Sequence, residues 1–226
     1  MSRGILIAAR MGSTRLPGKA LLPIGGMPML SYLIRRLKPS RLAPFIALAT
    51  TTKHEDDALA ALAAAEGIGV FRGDENDVVK RYVDAAAHFR LSEVVRVTAD
   101  CPFVSAETLD YVLKLCDAEP GFDLATTKKN FPVGIDYEVY PASVMELLHE
   151  GGPLTAEDRE HLTLHLDRRR GAFIVKEIAP PLMWKEPRIS FTVDTKEDYE
   201  RALRWVEALG SGPFSTEQLL STARSI

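Results

Sequence analysis

The stretch "ILIAARMGSTRLPGK", residues 5–19, sets the fold class of the chain. Its opening run, Ile5 to Ile7, is apolar at every position, as expected of a strand covered on both faces. The next twelve residues hold two glycines, a Ser-Thr pair, two arginines and a lysine. In an open parallel sheet, ligands collect beyond the carboxyl ends of the strands, and the loop after the first strand favours phosphate. Gly12 and Gly18 permit close backbone approach, Ser13 and Thr14 offer hydroxyls and amides, and Arg10, Arg15 and Lys19 bring positive charge. Counting excludes the P-loop, because Gly12 stands one residue too early and Ala20 follows the lysine where a metal-binding hydroxyl is needed. GxGxxG is absent as well. On these residues alone the loop is either a phosphate cradle or a solvated basic turn.

Short β-rich segments at residues 3–9, 45–50, 93–98, 172–178 and 189–193 alternate with helical patterns at about 28–38, 55–66, 76–90, 105–117 and 196–209. Helix ends carry recognisable chemistry. Pro28 suits a first turn, Ser105 a cap, Thr195 with Asp198 a capping box, and Gly67 the closure of the alanine-rich helix. This alternation predicts an α/β fold with a mostly parallel central sheet and helices on both faces. Residues 120–165 are less regular, with helix-like runs at 142–150 and 156–170. They read as an insertion or lid within one domain spanning residues 1–226, since no Pro/Gly/Ser-rich linker divides the chain.

Composition narrows the function classes. With 46% hydrophobic residues, 226 residues suffice for a substantial core. A formal charge of -3 provides no overall positive field for a nucleic-acid backbone. No apolar stretch reaches the roughly 18 residues of a membrane span, and the N-terminal run is too short for a signal peptide. Two cysteines, Cys101 and Cys116, make neither a CxxC pair nor a disulfide framework, so the expected compartment is the cytoplasm.

Two carboxylates point to the loop's edge of the sheet. Asp100 follows the strand-like "VVRVTA" and Asp194 follows "ISFTV", so both should emerge beside the glycine-bearing loop. Mg2+ is commonly held by one or two carboxylates together with substrate phosphates and water. Each aspartate alone also reads as a turn or helix-entry residue. His161 and His165 have i,i+4 spacing, but "EHLTLH" is not HExxH and no further His or Cys cluster completes a zinc site.

The wording "ARMGSTRLPGK" resembles the signature of the cytidylyltransferases of spore-coat polysaccharide synthesis, relatives of the enzymes that make CMP-activated 3-deoxy-manno-octulosonate and acylneuraminate. Further matches follow in order: "ATT" at 49–51, "FRGDENDVVKRY" at 71–82, "RVTADCP" at 96–102, "GIDYEVY" at 134–140, "REHLT" at 159–163 and "TVDTKEDYE" at 192–200. The chain departs from the usual pattern at Ala9, where Gln is expected, and at Leu164, where Pro often follows.

The resemblance implies a Rossmann-like nucleotidyltransferase fold, CTP and Mg2+ as ligands, a small sugar-acid acceptor and a homodimer. It implies nucleotide contacts from Ala8, Arg10, Met11, Gly12, Ser13, Thr14, Lys19, Thr50, Arg72 and Thr98, metal binding by Asp100 and Asp194, and catalysis by Arg10, Arg15, Lys19 and Asp100. Acceptor contacts would fall to Asp136, Glu138, Arg159, Glu160 and His161. Asp136 and Glu138 alternate, and a second metal, acceptor hydroxyls and an exposed strand face all fit that spacing. The expected reaction is attack of an acceptor oxygen on the α-phosphorus of CTP. A sugar 1-phosphate pyrophosphorylase and a non-catalytic nucleotide-binding module are the alternatives.

Overall fold

Ile5, Leu6 and Ile7 have no solvent exposure because their strand runs through the middle of a seven-stranded sheet. The computed structural model describes residues 2–186, 188–210 and 212–226. In chain order the elements begin with β1 (Arg3–Ala8), a small ribbon of β2 (Pro23–Ile24) and β3 (Met27–Pro28), α1 (Met29–Leu37), β4 (Phe45–Thr51) and α2 (Asp57–Ala65). There follow β5 (Gly69–Gly73), α3 (Val78–His88), β6 (Glu93–Thr98), α4 (Ala106–Ala118), β7 (Leu124–Thr126) and β8 (Glu138–Pro141). The remainder comprises α5 (Ala142–Gly151), α6 (Ala156–Glu160), α7 (Leu164–Arg168), β9 (Val175–Glu177), α8 (Lys196–Leu209) and α9 (Thr216–Ser225).

The sheet order is β5-β4-β1-β6-β8-β7-β9. Strands β5, β4, β1 and β6 are mutually parallel, β8 is antiparallel to both β6 and β7, and β9 is parallel to β7. Only β8 is reversed, so this is the mostly parallel, Rossmann-like α/β sheet expected from the sequence. Helices cover both faces. One layer packs Leu33 of α1, Leu59 of α2, Val112 of α4 and Trp205 of α8 against Ile5, Ile7 and Val95. The other packs Tyr82 of α3 and Met145 of α5 against Leu6, Ala47 and Val94. No described helix is long and apolar enough to cross a membrane.

Several helix ends follow the local chemistry. Ser105 caps α4 by accepting from the Thr108 amide, and Thr195 forms a complete capping box with Asp198 at α8. Gly67 takes φ +70° just beyond α2, the left-handed closure that glycine tolerates best. Pro28 sits immediately before α1 rather than inside its first turn.

Other expectations need correction. Residues 189–193 do not form a strand; Ser190 makes an isolated parallel bridge with Val133. Two backbone bonds hold this segment: Phe191 N–H donates to Val133 O at 2.7 Å and Val193 N–H to Asp100 O at 2.8 Å. Gly134 makes the close approach possible. It has φ +85°, and a Cβ there would lie 2.6 Å from both Phe191 C and Thr192 N. The strand expected at 172–178 shrinks to Val175–Glu177.

The helix expected over 156–170 is two, broken at His161. Arg159 Nη1 reaches Asp77 at 2.5 Å, and the Thr163 hydroxyl turns inward to Glu138, so tertiary partners override helical continuity. Segment 120–165 contributes β7, β8 and the covering helices α5 and α6 to this sheet.

Candidate active site

The residues after β1 form a compact turn rather than an open flap. Ser13 N–H and Gly18 N–H both donate to Met11 O, at 2.8 and 3.2 Å, and Met11 N–H donates to Asp56 Oδ1 at 2.7 Å. Gly18 takes φ +68°, the left-handed conformation that lets Lys19 turn back under the loop. Gly12 needs no special φ; a Cβ there would meet only Glu55 Oε1 at 3.4 Å. Among the described residues, the amides of Gly12, Thr14 and Arg15 have no protein acceptor, leaving three donors for an anion.

Below the loop, Lys19 Nζ donates to Asp100 Oδ2 at 3.1 Å, Asp194 Oδ1 at 2.8 Å and Val193 O at 3.1 Å. The lysine side chain is 14% exposed. Arg15 adds an exposed contact, Nη2 to Asp194 Oδ1 at 3.2 Å. Asp100 Oδ1 accepts from the Thr98 hydroxyl at 2.5 Å and from Cys101 Sγ at 3.4 Å. Burial alone would raise the Asp100 carboxyl, but Lys19 and these hydrogen bonds outweigh it and hold it below the ordinary carboxylate range. The Cys101 thiol is pushed well up, by burial first and then by neighbouring Asp100 and Asp136, so it remains a neutral donor.

Asp100 and Asp194 meet because of the main chain. The Val193 N–H to Asp100 O bond brings the end of an irregular segment against the end of β6. The Asp198 carboxylate then accepts from the amides of Asp194 and Thr195, at 3.2 and 3.0 Å, so the α8 capping box also orients the carboxylate-bearing residue.

These groups open onto a cavity of about 630 Å³, within the range of small-molecule sites. Of the residues singled out from sequence, it brings together Ala8, Arg10, Ser13, Thr14, Arg15, Lys19, Thr98, Asp100, Glu160, His161 and Asp194.

The others lie outside its wall. Met11 packs against the core, and Gly12 sits beside Glu55. Thr50 is fully buried, with Oγ1 unpartnered among the described residues. Arg72 is committed to Thr51 O, Lys53 O and Asp57 Oδ1 at 2.9, 2.7 and 2.6 Å. Arg159 joins α6 to Asp77, the N-cap of α3, and so fixes Glu160 and His161 above the cavity. His165 is buried with Nδ1 3.4 Å from Asp158 Oδ2, whereas His161 is exposed, so the two histidines do not share an ion.

Asp136 precedes β8 and lines a separate cavity of about 30 Å³. Its carboxylate accepts from Gly134 N–H at 2.7 Å. Burial raises its pKa, only partly opposed by that amide. Glu138 is 3% exposed and bridges Arg96 Nη1 at 2.6 Å, Lys128 Nζ at 2.8 Å and the Thr163 hydroxyl. It is therefore a buried partner rather than part of an exposed strand face. Burial alone would raise its pKa, but Arg96 and Lys128 dominate and lower it.

Arg96, which Glu138 holds, lines the main cavity together with Glu75, Asn76 and Arg81. The sequence signal for Arg96 is a lone cation inside the apolar strand "VVRV". Arg81 is 3% exposed, donates from Nη1 to the Asp74 and Glu75 carbonyls, and makes no ion pair among the described residues.

Asp100 and Asp194 fit a divalent cation by donor chemistry. Two hard oxygens already converge within about 3 Å of one cationic nitrogen. Among the described residues no group of three or more His, Cys, Asp or Glu could hold a metal ion. The remaining ligands would therefore come from phosphate and water, as is usual for Mg2+.

Comparison with known proteins agrees with this architecture. The family model described as cytidylyltransferase matches residues 5–219. The spore coat polysaccharide biosynthesis protein SpsF of Bacillus subtilis is 34% identical over 212 residues, covering 92% of this chain and 88% of that protein. A 3-deoxy-manno-octulosonate cytidylyltransferase of Afipia carboxidovorans is 33% identical over 140 residues, 59% of this chain and 54% of that protein. A solved cytidylyltransferase from Leptospira borgpetersenii is 33% identical with a TM-score of 0.93, covering 100% of this chain and 94% of its own. The agreement runs from β1 into α9 and includes every strand of the sheet, so the chain belongs to the cytidylyltransferase family and is a nucleotidyltransferase.

Proposed function

We propose that this protein transfers the cytidylyl group of CTP to a hydroxyl of a sugar or sugar-like acid, releasing pyrophosphate, in polysaccharide or glycoconjugate assembly. The observation that carries the reading is the meeting of Lys19, Asp100 and Asp194 beneath a loop with three unpaired amides. Kinship with the SpsF protein and with an enzyme named for 3-deoxy-manno-octulosonate supports the polysaccharide setting and the acid acceptor.

In this reading the loop amides and Arg10 bind the triphosphate, while Arg15 and Lys19 stabilise charge developing on the pyrophosphate as its bond to the α-phosphorus breaks. Asp100 and Asp194 would hold Mg2+, which when bound supplies charge neutralisation at the phosphate oxygens. Arg81, Arg96, Glu160 and His161 line the cavity, and in this reading their contacts bear on which hydroxylated acid is accepted. Asp100 remains ionised near neutral pH because its surroundings keep its proton affinity low.

The decisive assay crosses the four nucleoside triphosphates with candidate acceptors, including 3-deoxy-manno-octulosonate and sugar 1-phosphates, and reads pyrophosphate release and product mass. CTP with a sugar acid should give a CMP-linked product. Consumption of a sugar 1-phosphate, or a preference for another triphosphate in direct binding, overturns the assignment. A charge-assisted hydrogen bond contributes about 1.5–3 kcal/mol, so Lys19→Ala should lower saturated turnover by about 10- to 200-fold. Unchanged turnover in that variant removes Lys19 from leaving-group stabilisation.

A further inference from the structure

Lys19 makes three hydrogen bonds, and a lysine ammonium has three donors. Its charge faces two carboxylates whose alternative partners are few. One Asp100 oxygen is taken by Thr98 and Cys101, and the other by Lys19. Asp194 Oδ1 is shared between Lys19 and Arg15. The two negative charges that would attract a divalent ion are thus already matched by two positive ones.

We propose that Lys19 is the resident cation of this site: in the nucleotide-free protein it occupies the position of the divalent ion and opens it only when a polyphosphate draws the ammonium away. This rests on the reading of Asp100 and Asp194 as metal ligands. Binding a divalent ion beside an undisplaced ammonium places like charges at contact distance in a partly enclosed site, where screening is weak. The cavity supplies the exchange partner. The open amides of Thr14 and Arg15, both in the cavity wall, mark a place for phosphate on the loop that carries Lys19, so a change of lysine rotamer would carry the ammonium from the carboxylates to the anion. Metal and nucleotide then enter as coupled events, and the coupling is reciprocal.

The test is direct Mn2+ binding to the nucleotide-free protein, read by electron paramagnetic resonance of free Mn2+. Lys19→Met should bind Mn2+ more tightly than the unaltered protein, by about 5- to 150-fold, the usual range for such couplings. Lys19→Gln, which keeps a donor but no charge, should behave likewise and serves if the methionine variant is poorly folded by circular dichroism. Adding Asp100→Asn to either variant should abolish the gain, locating it at this site. Equal affinity in the unaltered protein and the lysine variants overturns the proposal while leaving the carboxylates as a metal site. Absence of Mn2+ binding in every form overturns it as well, and CTP-dependent turnover then tells separately whether the enzymatic reading stands.

Discussion

Asp100→Asn should lower turnover by about a thousandfold or more, with a circular dichroism spectrum unchanged from the parent. The substitution keeps side-chain shape but removes one of the two negative charges at which Lys19 converges with Asp194. A divalent ion contributes several kcal/mol to charge stabilisation in phosphoryl chemistry, and each 1.4 kcal/mol is a factor of ten in rate. Lys19 also loses an anionic partner, and the Thr98 hydroxyl loses a charged acceptor. The measurement is kcat with saturating CTP, acceptor and Mg2+. A loss of less than about tenfold would show that the ion is held elsewhere or that chemistry is not rate-limiting. The pH profile gives a second check: Asp100 sits below its ordinary range, so any titration of kcat above about pH 5 belongs to another group.

The largest stability effect is expected at Glu138. Removing one member of a buried ion pair costs about 3–5 kcal/mol, because the remaining charge keeps its desolvation penalty. In Glu138→Ala, Arg96 would be left enclosed, and its Nε already lacks a partner among the described residues. Lys128 is half-exposed and rehydrates at little cost. For a chain of this size the loss corresponds to a fall in Tm of roughly 10 °C or more, measurable by calorimetry.

The linkage sign is set by direction. A folded-state pKa below the ordinary glutamate value means that the contribution is fully present above roughly pH 4.5 and declines as pH falls through the folded value. The gap between parent and variant should therefore be constant from pH 6 to 8 and narrow in acid. A double change, Glu138→Leu with Arg96→Met, should recover most of the stability yet lower turnover, since it removes both members of the ion pair but also a cation from the cavity wall. If Glu138→Ala unfolds with the parent midpoint, the ion pair is solvated in solution and the assignment of Glu138 as the residue that positions Arg96 fails.

The meeting of the β1 loop with Asp100 and Asp194 was legible because its signals are local. An apolar run followed by a glycine-bearing basic loop, and two aspartates at the ends of apolar runs, are patterns a sequence displays directly. The misread parts depend on distant partners. Residues 189–193 carry strand-like side chains, yet among the described residues they reach the rest of the fold's backbone through one isolated bridge at Val133 and one bond to Asp100. The helix over 156–170 has no glycine or proline at its break, because the break is made by Asp77 and Glu138. The edge strand β5 begins and ends in glycine, which hides strand propensity. Alternation placed Asp136 and Glu138 on a common face but could not show that Arg96 would meet Glu138, since that meeting depends on β8 running against β6.

The Val193 to Asp100 main-chain bond has a consequence for how such a site can change over time. The span between its two acidic jaws is inherited from peptide geometry, which side-chain drift does not rewrite. On the proposed function, replacement of residues along the α3 and α6 walls of the cavity would alter which acceptor is welcomed, while the distance between the two carboxylates keeps its dimensions. Under that proposal selectivity and chemistry are separable, one carried by exchangeable side chains and the other by the backbone itself.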